Sequence, residues 1–574
     1  MRIVYLGKVS CRNNPLPSLE GDAIELFSDN WDDYGYKTSF SVTCRISDER
    51  ITLGLIRILI ADTKNSSDYL NKLLKEGWSG EFPIPNTNYI STPSNIIFYE
   101  QIDGLIDSKK SIEVANKLRD ASYLIHVSED DDAKTLVETE GFESSLQRER
   151  GSKKAYLDGW KILARQAIAV LDLGFKFKNV CGDISNLNLK YHSESLLPHD
   201  INVLIGPNGS GKSQVLHQMV SDWISPDEEP ETGFAEAPNL SQIVVISYSP
   251  FERFPVAPPK NQQQDTEAYR YFGFRGRTAP TESRPSGQIR LSHQFPKRNA
   301  AEALIECLTD DERFNSVRGW ANKVKTVERV LRTAFNFDCA AIEVKGYSGV
   351  KDYYKDNSRD TIFHKQDHVH FDEDNGRKKA YIPIVSETAY SLNIPKLKKN
   401  IVVDQGVTFF MSGHPIELSS GQRLFAYIVI NILGAIQKNS LILIDEPELF
   451  LHPTLEIQFV NMLKMILSRF NSKALLATHS AVTVREVPSD CVHVFERTDE
   501  GLFIKHPPFQ TFGGDVQRIS SYVFGDKSIS KPFEAWIRDK LEDYGSADEL
   551  IEAMGNELNE ELIVQIKAMG RDQW

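Results

Sequence analysis

The stretch that most narrows what this chain can fold into runs from Ile201 to Trp223. INVLI, a short β-branched run, reads as a buried strand, and QVLHQMVSDW reads as a helix. Between them stand Gly206, Pro207, Asn208, Gly209, Ser210, Gly211, Lys212 and Ser213. This is G-x-x-x-x-G-K-S in the strand–loop–helix context that a phosphate-binding (Walker A) loop requires. The glycines let backbone N–H groups wrap phosphates without Cβ obstruction, and the helix start adds its positive dipole. Lys212 is placed to reach β- and γ-phosphates and the Ser213 hydroxyl to ligate Mg²⁺, so ATP and Mg²⁺ are the expected cofactors.

A second half to this site is expected far downstream. LILI (Leu441–Ile444) is long enough only for a buried strand, and it ends in Asp445-Glu446-Pro447. Carboxylates at the C-terminal end of such a strand lie where α/β sheets bind ligands. Asp445 is expected to hold Mg²⁺ through water, and Glu446 to polarise the attacking water as general base. Upstream, Leu418-Ser419-Ser420-Gly421-Gln422-Arg423 precedes the apolar helix LFAYIVINILGAI. A hydroxyl, exposed N–H groups and a helix dipole make an anion site there, and a plain Ser-capped helix is the competing reading. This run resembles the signature of ABC ATPases, which implies that Ser419, Gly421 and Gln422 contact a γ-phosphate. Leu475-Leu476-Ala477 leads into Thr478-His479-Ser480. By the same resemblance His479 is a switch histidine that senses γ-phosphate.

The resemblance implies an α/β fold: an ABC-type head with its P-loop NTPase sheet flanked by helices, a mixed α+β N-terminal domain, and an inserted helical lobe. DEPELFLHP (Asp445–Pro453) is similar to the DEPExxLHP run of compact soluble ATPases related to the OLD family. Residues 480–574 show neither the room nor the acidic motif of the Toprim nuclease that many of those carry. Two further segments, VISYSPFERF (Val245–Phe254) and FQTFGG (Phe509–Gly514) with Ile519 and VFGD (Val523–Asp526), resemble PtuA, the ATPase family of Septu-type and retron-associated anti-phage systems. That family pairs the ATPase with a separate HNH nuclease. The resemblance therefore implies ATP-sandwiched dimers or higher oligomers, an HNH nuclease partner, and a retron reverse transcriptase with its nucleic acid as a further partner. One departure is that ABC proteins usually place a Gln where this chain has Ser247 to Ser249. A DNA-clamping repair ATPase, or an ATP-dependent scaffold with little turnover, are the rival functions.

Composition sets the remaining bounds. The apolar runs Ala426–Ile436 and Leu441–Ile444 fall short of the about 20 residues that span a bilayer, so no membrane partner is expected. MRIVYLGKVS turns polar at once, without a secretory core, and the six cysteines form no CxxC pair; a cytoplasmic protein with reduced core thiols is expected. The net charge of −14 excludes a basic coat over the whole molecule, not a local stripe. Five regions are expected: an accessory domain over 1–172, the first ATPase half over 173–250, the lobe over 251–400, the second half over 401–496, and a tail over 497–574 that docks a partner.

In the lobe, Arg270, Arg275, Arg277, Arg284, Arg290, Lys297 and Arg298 lie among Tyr269, Tyr271, Phe272 and Phe274. DNA contact through 270–298, with base stacking on the rings, competes with a solvated loop. His364, His368, His370, Asp372 and Asp374 read as part of a hairpin turning at Asp374-Asn375-Gly376, not as a metal site. Ile51–Ile60 and Ile96–Tyr99 read as strands, and WDDYGY (Trp31–Tyr36) matches nothing assignable.

Overall fold

The computed structural model describes residues 1–8, 21–28, 35–166, 168, 172–226, 231–258, 268–278, 288–315, 317, 320–345, 353–355, 370–374, 377–525 and 532–571. Trp31 to Tyr34, Cys11, Arg284, His364 and His368 lie outside them, as do the side chains of His370, Asp372, Asp374 and Phe533. The chain divides into two compact units, Met1–Phe512 and Gly513–Trp574.

The larger unit is built on a seven-stranded sheet. Its order is Tyr269–Gly273, Gln242–Ser247, Ser440–Asp445, Lys473–Thr478, Ile201–Ile205, Val492–Thr498 and Gly501–Lys505. The first six run parallel, and the last pairs antiparallel as an edge hairpin. QIVVIS, SLILID and INVLI are buried throughout, as parallel strands covered on both faces must be. Around the sheet lie the helices Lys212–Ile224, Ser420–Ala435 and Pro453–Phe470. This is the α/β P-loop architecture.

The 251–400 segment is not separate from this sheet, since Tyr269–Gly273 is one of its strands. Helices Gln294–Arg313 and Lys323–Leu331 follow. An antiparallel sheet of His370–Asp374, Arg377–Ile384, Cys339–Val344, Val407–Met411 and His414–Pro415 joins them. Asp374 pairs with Arg377, the register a two-residue hairpin loop gives. Gly434 of the helix Ser420–Ala435 has no room for a side chain, because a Cβ would sit 2.6 Å from Ala303 on the helix Gln294–Arg313.

Residues 1–93 contribute a five-stranded sheet in sequence order, Arg2–Lys8, Ala23–Ser28, Ser39–Ile46, Glu49–Ile60 and Tyr89–Pro93. The first pair is parallel and the others antiparallel. Ile96–Tyr99 is not a strand: Ile97–Leu105 is a helix with Phe98, Tyr99 and Ile102 buried. A four-residue apolar run fits either period, and the Asn95 side chain, accepting the Ile97 N–H, turns the chain into a helix. This N-terminal part is tied to the core at the carboxyl ends of two helices. The Arg150 guanidinium stacks 3.9 Å from the Trp223 ring and donates to the Trp223 carbonyl. Lys438, just past the helix Ser420–Ala435, pairs with Glu100 at 2.7 Å.

The seam expected near 497 lies instead at 512, because the hairpin of Val492–Thr498 and Gly501–Lys505 completes the main sheet. The smaller unit is helical, with Val516–Phe524, Pro532–Tyr544, Ala547–Met554 and Glu560–Arg571. Ile537, Leu541, Leu550 and Ile566 form its core. Cys44, Cys307, Cys339 and Cys491 are buried and in no disulfide, whereas Cys181 is exposed.

His493, only 1% exposed, bonds through Nε2 to Asn202 Oδ1 on the phosphate-loop strand at 2.9 Å. Burial, and then the His506 ring 4.8 Å away, push its pKa down to about 3. Between that value and the unfolded value near 6.5 the unfolded chain binds the extra proton, so this residue's stabilisation is full above that window and is lost as pH falls through it. For His493 alone this amounts to about 2 kcal/mol between pH 7 and pH 5. His493→Gln is expected to flatten the pH dependence of urea stability by that amount.

Candidate nucleotide site

The phosphate loop leaves the strand Ile201–Ile205 where the chain comes closest to its neighbour. A Cβ at Gly206 would meet the Phe495 carbonyl at 2.4 Å. At Gly211 φ is +95°, and a Cβ would lie 2.9 Å from Val180. Only glycine fits either position. Pro207, Asn208 and Gly209 form the exposed tip, while Ser210 and Lys212 are buried. Lys212 Nζ donates to the carbonyls of Gly206 at 2.9 Å and Pro207 at 3.1 Å. Burial lowers its pKa to about 8, with the charges of Glu446, Glu448 and Asp445 opposing.

Strand register brings the distant residues to the same edge. Asp445 is level with Ser247 on one side and Ala477 on the other, and Thr478 is level with Ile205. Ser213 Oγ donates to Asp445 Oδ1 at 2.7 Å, across 232 residues of sequence. Burial raises the Asp445 carboxyl to about 7; the Ser213 hydrogen bond lowers it, while the neighbouring charges of Glu446 and Glu448 raise it further. Glu446 has φ +50° and ψ +56°, a left-handed backbone that costs a non-glycine residue on the order of 1–3 kcal/mol. Its N–H is held by the Ala477 carbonyl at 2.9 Å, and its Oε1 lies 3.9 Å from His479 Nε2. Burial, then the Lys212 charge, depress His479 to about 4, so at neutral pH the imidazole is uncharged.

Two further groups, to which the sequence assigned no role in the site, lie here. Glu448 Oε1 accepts the His479 N–H while its Oε2 is buried without a partner. Ser247 is fully buried beside Asp445, its Oγ also without a partner, at the strand end where a Gln was expected. The signal for Ser247 was its place at the end of an apolar strand. Glu448 had none beyond its nearness to the Asp445–Glu446 pair. With Ser210 Oγ, three buried polar atoms around the loop and the strand ends lack hydrogen bonds. Such atoms are costly unless a bound group satisfies them. The donor set suits MgATP: loop amides, an ammonium, and the joined hydroxyl and carboxylate of Ser213 and Asp445.

Ser419, Gly421 and Gln422 are not part of this cluster. Ser419 caps the helix Ser420–Ala435 in a reciprocal capping box, its Oγ 3.3 Å from Gln422 N and its N–H 3.1 Å from Gln422 Oε1. No hydrogen bond among the described residues joins these three to the phosphate loop, and Ser419 faces solvent. A Cβ at Gly421 would crowd the Phe450 carbonyl at 2.9 Å.

Of the competing readings of 270–298, base stacking on Tyr269, Tyr271 and Phe274 is closed off by their burial. Tyr269 and Tyr271 are core residues because their segment is a strand of the main sheet, and Phe274, just past its end, is buried as well. The Tyr271 hydroxyl donates to Glu252 at 2.6 Å, and Arg275 pairs with the same carboxylate at 3.4 Å. Arg270, Arg277 and Arg290 remain exposed. Among the described residues no helix is long and apolar enough to cross a membrane.

Residues 351–485 match the model of the family described as "AAA domain, putative AbiEii toxin, Type IV TA system". Over 532 residues the chain is 24% identical to "Protein ea59" of Escherichia phage lambda, covering 89% of this chain and 88% of that protein. Among solved structures, the SMC head domain from Thermotoga maritima matches with TM-score 0.21 and 11% identity, over 60% of this chain and all of that one. UvrA2 from Deinococcus radiodurans matches with TM-score 0.23 and 12% identity, over 63% of this chain and 39% of that one. The family match covers the segment that holds Asp445, Glu446 and His479, so this part of the chain is similar to an AAA-type ATPase domain.

Proposed function

We propose that this chain binds MgATP at Gly206–Ser213, hydrolyses it, and uses its nucleotide state to control a separate effector, an HNH-type nuclease, in anti-phage defence. The observation that carries the catalytic part is the Ser213–Asp445 hydrogen bond beside Glu446 and His479, on the ends of adjacent parallel strands. Ser213 and Asp445 would hold Mg²⁺, which when bound neutralises charge on the phosphate oxygens. Lys212 leaves its two carbonyls for the β- and γ-phosphates, Glu446 takes the proton of the attacking water, and neutral His479 reads the γ-phosphate. Ser419, turned to solvent, serves with Gly421 and Gln422 the nucleotide of a second copy. The resemblance of Val245–Phe254 and Phe509–Asp526 to PtuA supports the defence role. Likeness to a protein of phage lambda fits a setting of phage–host conflict.

Lys212→Ala is expected to weaken ATP binding at least ~100-fold, the loss of about 3 kcal/mol, by calorimetry. Tight binding by that variant would reject the site. The helical unit after Phe512 is the proposed docking surface for the effector. Deletion of 513–574 should leave ATP binding intact and abolish co-purification with the nuclease. Retained co-purification would move docking to the 251–400 segment. The cut belongs at 512, because a cut at 497 removes the sheet's edge hairpin.

A further inference from the structure

A cavity of about 430 Å³ lies at the opposite edge of the main sheet from the nucleotide site. Its walls come from the N-terminal part, the first residues of the strand Gln242–Ser247, the helix Gln294–Arg313, and the carboxyl end of the helix Ser420–Ala435. The volume falls in the range of small-molecule sites.

The charges in the wall can be accounted for one by one. Four carboxylates line it, and each has its own cation: Glu100 with Lys438 at 2.7 Å, Glu149 with Arg57 at 2.7 Å, Glu306 with Lys398 at 3.1 Å, and Asp310 with Lys323 at 2.8 Å. Two arginines line it as well, Arg270 and Arg313, and neither guanidinium makes a hydrogen bond or ion pair among the described residues. Arg313 only lies over the Phe314 ring at 4.9 Å, and Arg270 only feels the charge of Glu302 at longer range. The wall therefore presents two uncommitted positive forks. Planar guanidinium forks match phosphate oxygens in bidentate fashion, and two of them together suit a dianion.

We infer that this cavity is a second ligand site, separate from the phosphate loop, that binds a small phosphorylated anion of up to mononucleotide size through Arg270 and Arg313. The inference does not depend on the ATPase mechanism above. Free phosphate and a phosphate ester share the recognition chemistry, and the size of the cavity favours the ester.

The test uses the full chain carrying Lys212→Ala, so that the phosphate loop does not compete, titrated by calorimetry with AMP and with inorganic phosphate. Saturable binding of one molecule per chain is expected. Arg270→Ala with Arg313→Ala should weaken it at least tenfold with little change in melting temperature, since the two side chains give up no hydrogen bond or ion pair and only the Arg313 contact with the Phe314 ring is lost. The paired Arg→Lys variant should recover part of the affinity. Tighter binding of AMP identifies an ester as the occupant, and binding of phosphate alone identifies the free anion; either supports the site. Absence of saturable binding of both probes at millimolar concentration overturns the inference, as does binding indifferent to the double substitution. ATP binding that survives Lys212→Ala with both arginines replaced would count against the phosphate-loop assignment instead.

Discussion

Glu446→Gln is expected to hold ATP as tightly as the unchanged protein and to turn it over about 10²–10⁴ times more slowly, the usual scale for loss of a general base. The phosphates are gripped by the loop and Lys212, neither of which the substitution touches. Glutamine keeps the size of the side chain, and the backbone tie to the Ala477 carbonyl, which fixes the left-handed turn, involves no side-chain atom. What is lost is the carboxylate that accepts the water's proton. Calorimetry for affinity and single-turnover hydrolysis for rate separate the two effects. Unchanged turnover would transfer the role to another group. Glu448 is the nearest alternative, although one of its oxygens is already committed to the His479 N–H.

Mixing two dead variants is expected to restore activity. Lys212→Ala spoils the loop, Ser419→Arg spoils the signature, and each alone should be inactive. Ser419 bonds within its own helix start and not to its own phosphate loop, and on the proposed reading the γ-phosphate it serves belongs to another copy. A heterodimer then keeps one complete composite site, the loop of the Ser419→Arg chain with the signature of the Lys212→Ala chain. On that reading ATP would contribute binding free energy to the closed pair alone, and hydrolysis would remove the contact that holds it closed. Loss of the Ser419 cap costs about 1 kcal/mol of helix stability, so both variants should still be folded at the assay temperature. Failure to recover while heterodimers are demonstrably present leaves two explanations: both sites fire together, or the sites are not shared. A cysteine pair at Ser210 and Ser419 that crosslinks between chains only with ATP would exclude the second.

The meeting of Ser213, Asp445, Glu446 and His479 at the candidate site is legible in the sequence because each part sits at a boundary where apolar periodicity stops. INVLI, LILI and LLAT end in Gly206, Asp445 and His479, and a parallel sheet buried on both faces leaves little else that such runs can be. Legibility failed where packing outweighed local pattern. Tyr269, Tyr271 and Phe274 alternate with arginines as a nucleic-acid loop would, yet the strand Gln242–Ser247 beside them needed a partner and took them into the core. Ile96–Tyr99 was too short for its period to decide. The hairpin Val492–Lys505 looked like the start of a tail because its second strand is only partly buried, which weakens the alternation. The unpartnered Ser247 hydroxyl is a fact of register, set by Ile246 lying beside Ile444 nearly two hundred residues away, and no local window contains it.

The strand order has a consequence for how the protein is made. The phosphate-loop strand Ile201–Ile205 is hydrogen-bonded between Lys473–Thr478 and Val492–Thr498, both near the other end of the chain. During translation the loop leaves the ribosome long before either neighbour exists, and its strand waits as an apolar edge with unmet N–H and C=O groups. Ser213 likewise has no Asp445 to meet until the second half is made. Early termination anywhere before Thr498 should yield no fragment able to hold nucleotide, and the exposed INVLI edge marks such a fragment for aggregation or degradation. On the proposed reading, nucleotide competence is thus acquired late and all at once, as a property of topology.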